Sequence, residues 1–178
     1  MRLLITLLSL SMVCFANLKQ APENLEKDGA TLVFVDFKTV NVELTYDVTK
    51  GSAIAKSTVT FYQPEKGKAI FDLVPNIISA QLNGLEIDVL DSDMQGVSNI
   101  KYINKETSAG THTLTITNEI DKNVSFRSNF VKSAFWMSDL SDRRYIEQYL
   151  PSNLEYDQYK MTIDLNITGT QADHVIYT

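Results

Sequence analysis

The sequence predicts an all-β fold: an antiparallel β-sandwich or saddle-like sheet of about ten strands, with little helix. Short segments rich in β-branched and aromatic residues recur along the chain, and turn-forming residues separate them. Within these segments apolar and polar residues alternate, which is typical of strands with one buried face. The spacing that marks an amphipathic helix is weak throughout.

The individual elements follow from this alternation. Residues 40–47 show it most clearly, with four apolar residues separated by polar ones. Asn83-Gly84 predicts a two-residue hairpin turn, because both residues tolerate positive φ. Residues 141–149 predict one or two turns of helix. Further strands are predicted at residues 31–37, 57–62, 69–74, 77–82, 85–90, 100–103, 111–117, 124–130, 134–137, 159–167 and 174–177.

The first sixteen residues predict a secretory signal peptide. Arg2 supplies the positive start, residues 3–15 are mostly apolar, and Ala16 is the small residue at the cleavage point. The apolar run is shorter than the roughly 20 residues that span a bilayer. We therefore expect export to the periplasm or secretion, with no stable membrane span after cleavage. A retained anchor and lipid attachment at Cys14 are the alternatives.

The remaining chain predicts one domain. Residues 17–30 are polar and form a lead-in segment, and residues 31–178 form the β domain. About 160 residues suit a single core. The strand predicted at residues 174–177 has no turn after it, which indicates either a fragment of a longer protein or a strand at a sheet edge.

Composition excludes several classes of function. Cys14 is the single cysteine, so the mature chain has no disulfide. The formal net charge is −6, whereas nucleic-acid binding requires clustered Lys and Arg. We expect no nucleic-acid partner.

No catalytic constellation is recognisable in the sequence. The two histidines, His112 and His174, are not in a His-Glu-x-x-His motif, and no Gly-x-Ser-x-Gly elbow is present. We therefore assign no catalytic residue, metal site or cofactor to the chain. A hydrolase that uses a carboxylate pair such as Asp139 and Asp142 is the enzymatic alternative.

Residues 135–151 hold the densest group of aromatic and charged side chains. They include Trp136, Arg143, Arg144 and Tyr149. One interpretation is an ordered loop, in which the aromatic residues pack and the arginines form structural ion pairs. The other is an edge that binds a partner, because aromatic and arginine side chains carry much of the energy of protein interfaces.

Several motifs occur in a characteristic order along most of the domain. They are a strand and hairpin at residues 67–84, a Gly-x-His-x-Leu-x-Ile strand at 110–116, Arg143-Arg144, Leu150-Pro151, Asp157, and a Lys-x-x-φ-x-φ strand at 160–165. This order resembles the amino-terminal domain of the zinc aminopeptidases related to aminopeptidase N and leukotriene hydrolase. The spacing between Arg144 and Asp157 is longer than the family's, and Gln158 replaces its proline.

The resemblance implies a saddle-shaped, non-catalytic β lobe. In the family, zinc-assisted removal of amino-terminal residues belongs to the next domain, so zinc is expected only there, and this chain lacks its motifs. The resemblance also implies that Ser138 or Asp139 faces the amino terminus of a substrate. The implied partner is a peptidase catalytic domain or another protein. The alternative is a free-standing periplasmic or secreted module that binds a protein through residues 136–151.

Overall fold

The chain folds into two main β-sheets that pack face to face. The structure, a computed structural model, describes residues 23–93, 100–127, 130–133, 146–154 and 159–170. The strands in these residues are β1 (Leu25–Lys27), β2 (Ala30–Phe34), β3 (Asp36–Asp47), β4 (Ser52–Gln63), β5 (Lys68–Asp72), β6 (Ile77–Leu82), β7 (Leu85–Glu86), β8 (Val89–Asp91), β9 (Ile100–Ile103), β10 (Gly110–Glu119), β11 (Val124–Phe126), β12 (Val131–Ser133) and β13 (Lys160–Thr168). One 3-10 turn lies at Ile146–Gln148.

The strand order defines two sheets and a small hairpin. One sheet has the order β1-β2-β5-β9-β8, the other has the order β13-β3-β4-β10-β6-β7, and β11 pairs with β12. Most neighbours are antiparallel, but β13 runs parallel to β3 and β2 runs parallel to β5. The predicted all-β sandwich is thus confirmed, with mixed sheets in place of a purely antiparallel one.

The main core lies between the two sheets. The alternation at residues 40–47 places Val42 and Leu44 in this core, which also contains Phe71 and Ile103 from the other sheet. A second, smaller cluster of Leu32, Ile70 and Ile100 lies on the opposite face of the five-stranded sheet. Neighbouring residues of a strand point to opposite faces, so β5 buries apolar side chains on both of its faces.

Two predicted strands are split because the chain changes sheets within them. The strand predicted at 31–37 is divided between β2 and β3, with the buried Val35 between them. The run at 85–90 is divided between β7 in one sheet and β8 in the other. A local pattern marks extended backbone, but it contains no information about the sheet in which the partner lies.

Other boundaries also differ from the prediction. The lead-in segment contains β1, which pairs with β2. The strand expected at 124–130 is the short β11, and the helix expected at 141–149 is one 3-10 turn within the described residues. The hairpin turn at Asn83-Gly84 is confirmed, with φ of 51° and 80°. The strands predicted at 134–137 and 174–177 lie outside the described residues.

The turn between β4 and β5 is held by a buried glutamine. The Gln63 side-chain amide donates to the carbonyl oxygens of Glu65 (2.8 Å) and Gly67 (3.1 Å), and Thr107 Oγ1 donates to Gln63 Oε1 (2.8 Å). Gly67 packs so closely that a Cβ would lie 2.5 Å from Val33 Cγ2. Nothing in the sequence marks Gln63 as buried, because one polar residue in an alternating strand gives no signal of burial.

Candidate functional site

Residues 146–154 include the described end of the aromatic and charged stretch at residues 135–151. They begin with the 3-10 turn Ile146–Gln148 and continue into Tyr149 and Leu150, whose side chains are both buried in the main core. Further along, Leu154 packs against the second cluster. The segment therefore passes from one hydrophobic cluster to the other.

Hydrogen bonds attach this segment to both sheets. The amide of Val74, just after β5, donates to the carbonyl of Glu147 (2.7 Å). On the other sheet, Asn118 of β10 donates its side-chain amide to the carbonyl of Tyr149 (2.9 Å). Asp72 and Ser152 exchange two backbone hydrogen bonds of 2.8 and 2.9 Å. Because its contacts come from both sheets, the segment closes the sandwich at this point.

Tyr149 is a core residue in this arrangement. Its side chain is 1% exposed, and its phenol oxygen accepts a hydrogen bond from the Asn123 side-chain amide. This is the packing role, which the sequence left open beside the role of an interaction edge. A ring at this depth contributes no exposed surface, so any edge here must be built from the neighbouring side chains.

The other proposed site residues lie outside the described residues. This applies to the interaction-edge residues Trp136, Arg143 and Arg144 and to the substrate-facing candidates Ser138 and Asp139. Their roles stay predictions.

Two buried carboxylates lie where residues 146–154 attach to the five-stranded sheet, Glu147 within the segment and Asp72 in β5. Glu147 is 2% exposed and Asp72 is 8% exposed. The backbones of both residues take part in the hydrogen bonds that attach residues 146–154 to the end of β5. Carboxylates at this depth require charged or hydrogen-bonding partners. The structural ion pairs expected for Arg143 and Arg144 stay predictions, because both arginines lie outside the described residues.

His112 has a structural role in the described residues. Its Nε2 lies 2.9 Å from the Ser108 carbonyl oxygen, and its Nδ1 lies 3.1 Å from the Asn83 side-chain nitrogen. The ring also contacts Phe61, with centroids 5.6 Å apart. These contacts hold the Asn83-Gly84 hairpin against β10.

Two further features bear on function. Across the described ranges, no group of three His, Cys, Asp or Glu side chains is arranged to hold a metal ion. No helix in that part of the chain combines the length and apolar character needed to cross a membrane.

The fold resembles the amino-terminal domain regions of M1 zinc aminopeptidases and of LTA4 hydrolase, as the motif order predicted. The M1 zinc metallopeptidase from Deinococcus radiodurans is 16% identical, with a TM-score of 0.54 over 75% of this chain and 32% of its own. Native yeast LTA4 hydrolase is 12% identical, with a TM-score of 0.60 over 84% of this chain and 26% of its own. No protein-family model and no curated protein matches the chain.

The likeness covers only part of each of these proteins. The chain spans about a third or less of the length of either protein. At this identity the likeness shows the fold alone.

Proposed function

We propose that this chain is an exported β domain that acts as the non-catalytic lobe of a zinc aminopeptidase-like protein. The observation that carries the proposal is the likeness to the Deinococcus radiodurans enzyme, which covers 75% of this chain but 32% of that one. The order of motifs in the sequence supports it independently, because that order does not depend on the likeness between the folds. Export is supported by the pattern of residues 1–16.

In this proposal the chemistry belongs to another domain or chain. The printed sequence has no His-Glu-x-x-His motif, and the lobe would contribute shape and contacts to a peptide site. A mutant of the Deinococcus radiodurans enzyme was solved with a Tyr-Ser-Ala substrate. By analogy, Ser138 or Asp139 of this chain would approach the amino terminus of a peptide, where the carboxylate of Asp139 suits an ammonium group.

A free-standing module that binds a protein is the second candidate. It is favoured by large apolar side chains left exposed on the β6–β7 hairpin, where Ile78 and Leu85 are more than half exposed. Exposed apolar side chains on one hairpin offer a contact surface to another protein. In this case the partner would be any exported protein with a complementary surface, and no peptidase activity would be associated with the complex.

An aminopeptidase assay tests the lobe hypothesis directly. The purified chain is incubated with a panel of aminoacyl fluorogenic substrates, with and without added zinc. We expect no turnover in either condition. Zinc-dependent turnover that a chelator abolishes would overturn the proposal, because it would require a complete metal site within this chain. Turnover indifferent to chelators but lost in Asp139→Asn would instead support the carboxylate-pair enzyme.

The genomic context separates the two candidates. If the reading frame or its immediate neighbour encodes a His-Glu-x-x-His domain, the lobe hypothesis is supported. If neither encodes one, the protein-binding module is favoured.

Export requires a separate measurement. We expect the product recovered from the periplasm or medium to begin at Asn17 when its amino terminus is sequenced. The matched control is Leu7→Arg, which places a charge in the apolar run and should block processing. An unprocessed product with Met1 intact in both variants would contradict export through a cleaved signal peptide.

A further inference from the structure

The turn between β6 and β7 has the residues that favour a covalent change of the chain. Asn83 is the one asparagine of the sequence that precedes a glycine, and both Asn83 and Gly84 are exposed. A Cβ placed on Gly84 would meet nothing within 4 Å among the described residues beyond its neighbours in sequence. Because glycine has no side chain, nothing on residue 84 itself hinders its backbone nitrogen from attacking the asparagine before it.

The chemistry open to this pair is closure of a cyclic imide. The backbone nitrogen of Gly84 forms a bond to Cγ of Asn83, and the bond between Cγ and Nδ2 breaks. Nδ2 leaves as ammonia and takes with it the proton that the Gly84 nitrogen loses. Water then opens the imide. Residue 83 becomes aspartate when the new bond to Cγ is hydrolysed, and isoaspartate when the original peptide carbonyl is attacked.

The folded hairpin holds the Asn83 amide by both of its polar atoms. The backbone amide of Thr113 donates to Asn83 Oδ1 over 2.9 Å, so Nδ2 lies on the side of His112, whose Nδ1 is 3.1 Å away. An amide nitrogen can only donate, which makes Nδ1 of His112 the acceptor. The imidazole proton is then on Nε2, which donates to the Ser108 carbonyl (2.9 Å).

These two hydrogen bonds oppose the reaction. Hydrogen bonds to a carbonyl oxygen lie near the plane of the amide, whereas attack on Cγ comes from above that plane and makes the carbon tetrahedral. Oδ1 and Nδ2 would leave the positions in which Thr113 and His112 hold them. The attacking nitrogen must also come within about 3–3.5 Å of Cγ. The side chain of Asn83 must therefore detach from β10 before the imide can close.

We propose that Asn83 is a site of spontaneous deamidation, and that detachment of the Asn83-Gly84 turn from β10 controls its rate. Local opening at the edge of a sheet requires less free energy than global unfolding, and β7 is attached to β6 by two register pairs. Isoaspartate would add a backbone atom to a two-residue turn and so break the pairing of Leu82 with Leu85. Leu85 is 61% exposed, so the modification would alter an exposed apolar position.

Peptide mapping by mass spectrometry measures the reaction, and the outcome does not depend on the proposed function. The purified chain is incubated in mildly alkaline buffer, either folded or unfolded in urea, and the asparagine, aspartate and isoaspartate forms of residue 83 are quantified over time. We expect deamidation in urea and a rate at least about tenfold lower in the folded chain. Equal rates in the two states would overturn the proposal, as would the absence of reaction in urea.

The route through the imide is tested by Gly84→Ala in urea. The added methyl group hinders the backbone nitrogen of residue 84, so we expect slower deamidation than in the unchanged chain. An equal rate would identify direct hydrolysis of the side-chain amide and would contradict the proposed chemistry.

His112 variants test the control by the folded hairpin. His112→Phe removes the acceptor for Asn83 Nδ2 but keeps a ring against Phe61. It should raise the folded-state rate by about two- to tenfold, the factor that one hydrogen bond supplies, and leave the rate in urea unchanged. His112→Gln keeps an acceptor and should give a rate between those of His112→Phe and the unchanged chain.

The matched control is Tyr149→Ala, which removes a buried ring near the other end of β10, where the Tyr149 carbonyl accepts from Asn118. It lowers global stability without touching the hairpin, so the folded-state rate at Asn83 should not change. An increase as large as that in His112→Phe would show that the reaction follows global unfolding, and the proposal would be wrong.

Discussion

Replacement of Tyr149 tests whether residues 146–154 are an integral part of the core. Tyr149→Ala removes a fully buried aromatic ring, and such truncations lower the free energy of unfolding by about 3–5 kcal/mol. Tyr149→Phe is the matched control, because it keeps the ring and removes the hydroxyl that accepts the hydrogen bond from Asn123. One such bond contributes about 0.5–1.5 kcal/mol.

The assay is equilibrium unfolding in urea, combined with native-state hydrogen exchange. The backbone amides of Val74 and Ser152 report on the attachment of residues 146–154, because each donates a hydrogen bond between this segment and residues 72–74. We expect both to exchange faster in Tyr149→Ala and to be little changed in Tyr149→Phe. A loss of stability below about 1 kcal/mol in Tyr149→Ala, together with unchanged exchange at both amides, would refute the reasoning.

Three further predictions concern single positions. Gly67→Ala should lower the free energy of unfolding in urea by about 2–3 kcal/mol, because its Cβ would lie 2.5 Å from Val33 Cγ2. The control Gly84→Ala has open space around the new Cβ but a positive φ, and it should lower the free energy of unfolding by about 1 kcal/mol. Equal losses in the two variants would contradict the packing argument. Burial raises the pKa of Tyr46, so the folded state favours the neutral phenol. Stability should then decline as pH rises above about 10, the unfolded-state pKa, and a Tyr46→Phe variant with an identical alkaline profile would exclude this cause. The backbone amide of Lys50, 3.0 Å from Asp47 Oδ1, lowers the pKa of Asp47. The stability that this hydrogen bond contributes is present above the unfolded-state pKa of about 3.9, and it is lost as pH falls through the lower pKa of the folded state. An NMR titration that places the pKa of Asp47 in the folded protein at or above about 3.9 would contradict this prediction.

Much of the candidate site could not be derived from the sequence. An aromatic residue in a charged loop fits both a packing role and a binding role, and the sequence left both open for Tyr149. The structure places its ring in the core because residues 72–74 and Asn118, which are distant in sequence, supply the hydrogen bonds that hold the segment. Residues such as Gln63 and Asn118 were missed because buried polar residues in alternating strands resemble exposed ones.

The sequence by itself determined the all-β class, the position of most strands and the Asn83-Gly84 turn. These features depend on local preferences: side chains alternate with a period of two, and a two-residue turn needs positive φ. Only the tertiary structure decided that the chain changes sheets at Val35 and between β7 and β8, that β13 runs parallel to β3, and that residues 146–154 close the sandwich. The choice of partner strand depends on contacts between residues far apart in the chain, and no local pattern records them.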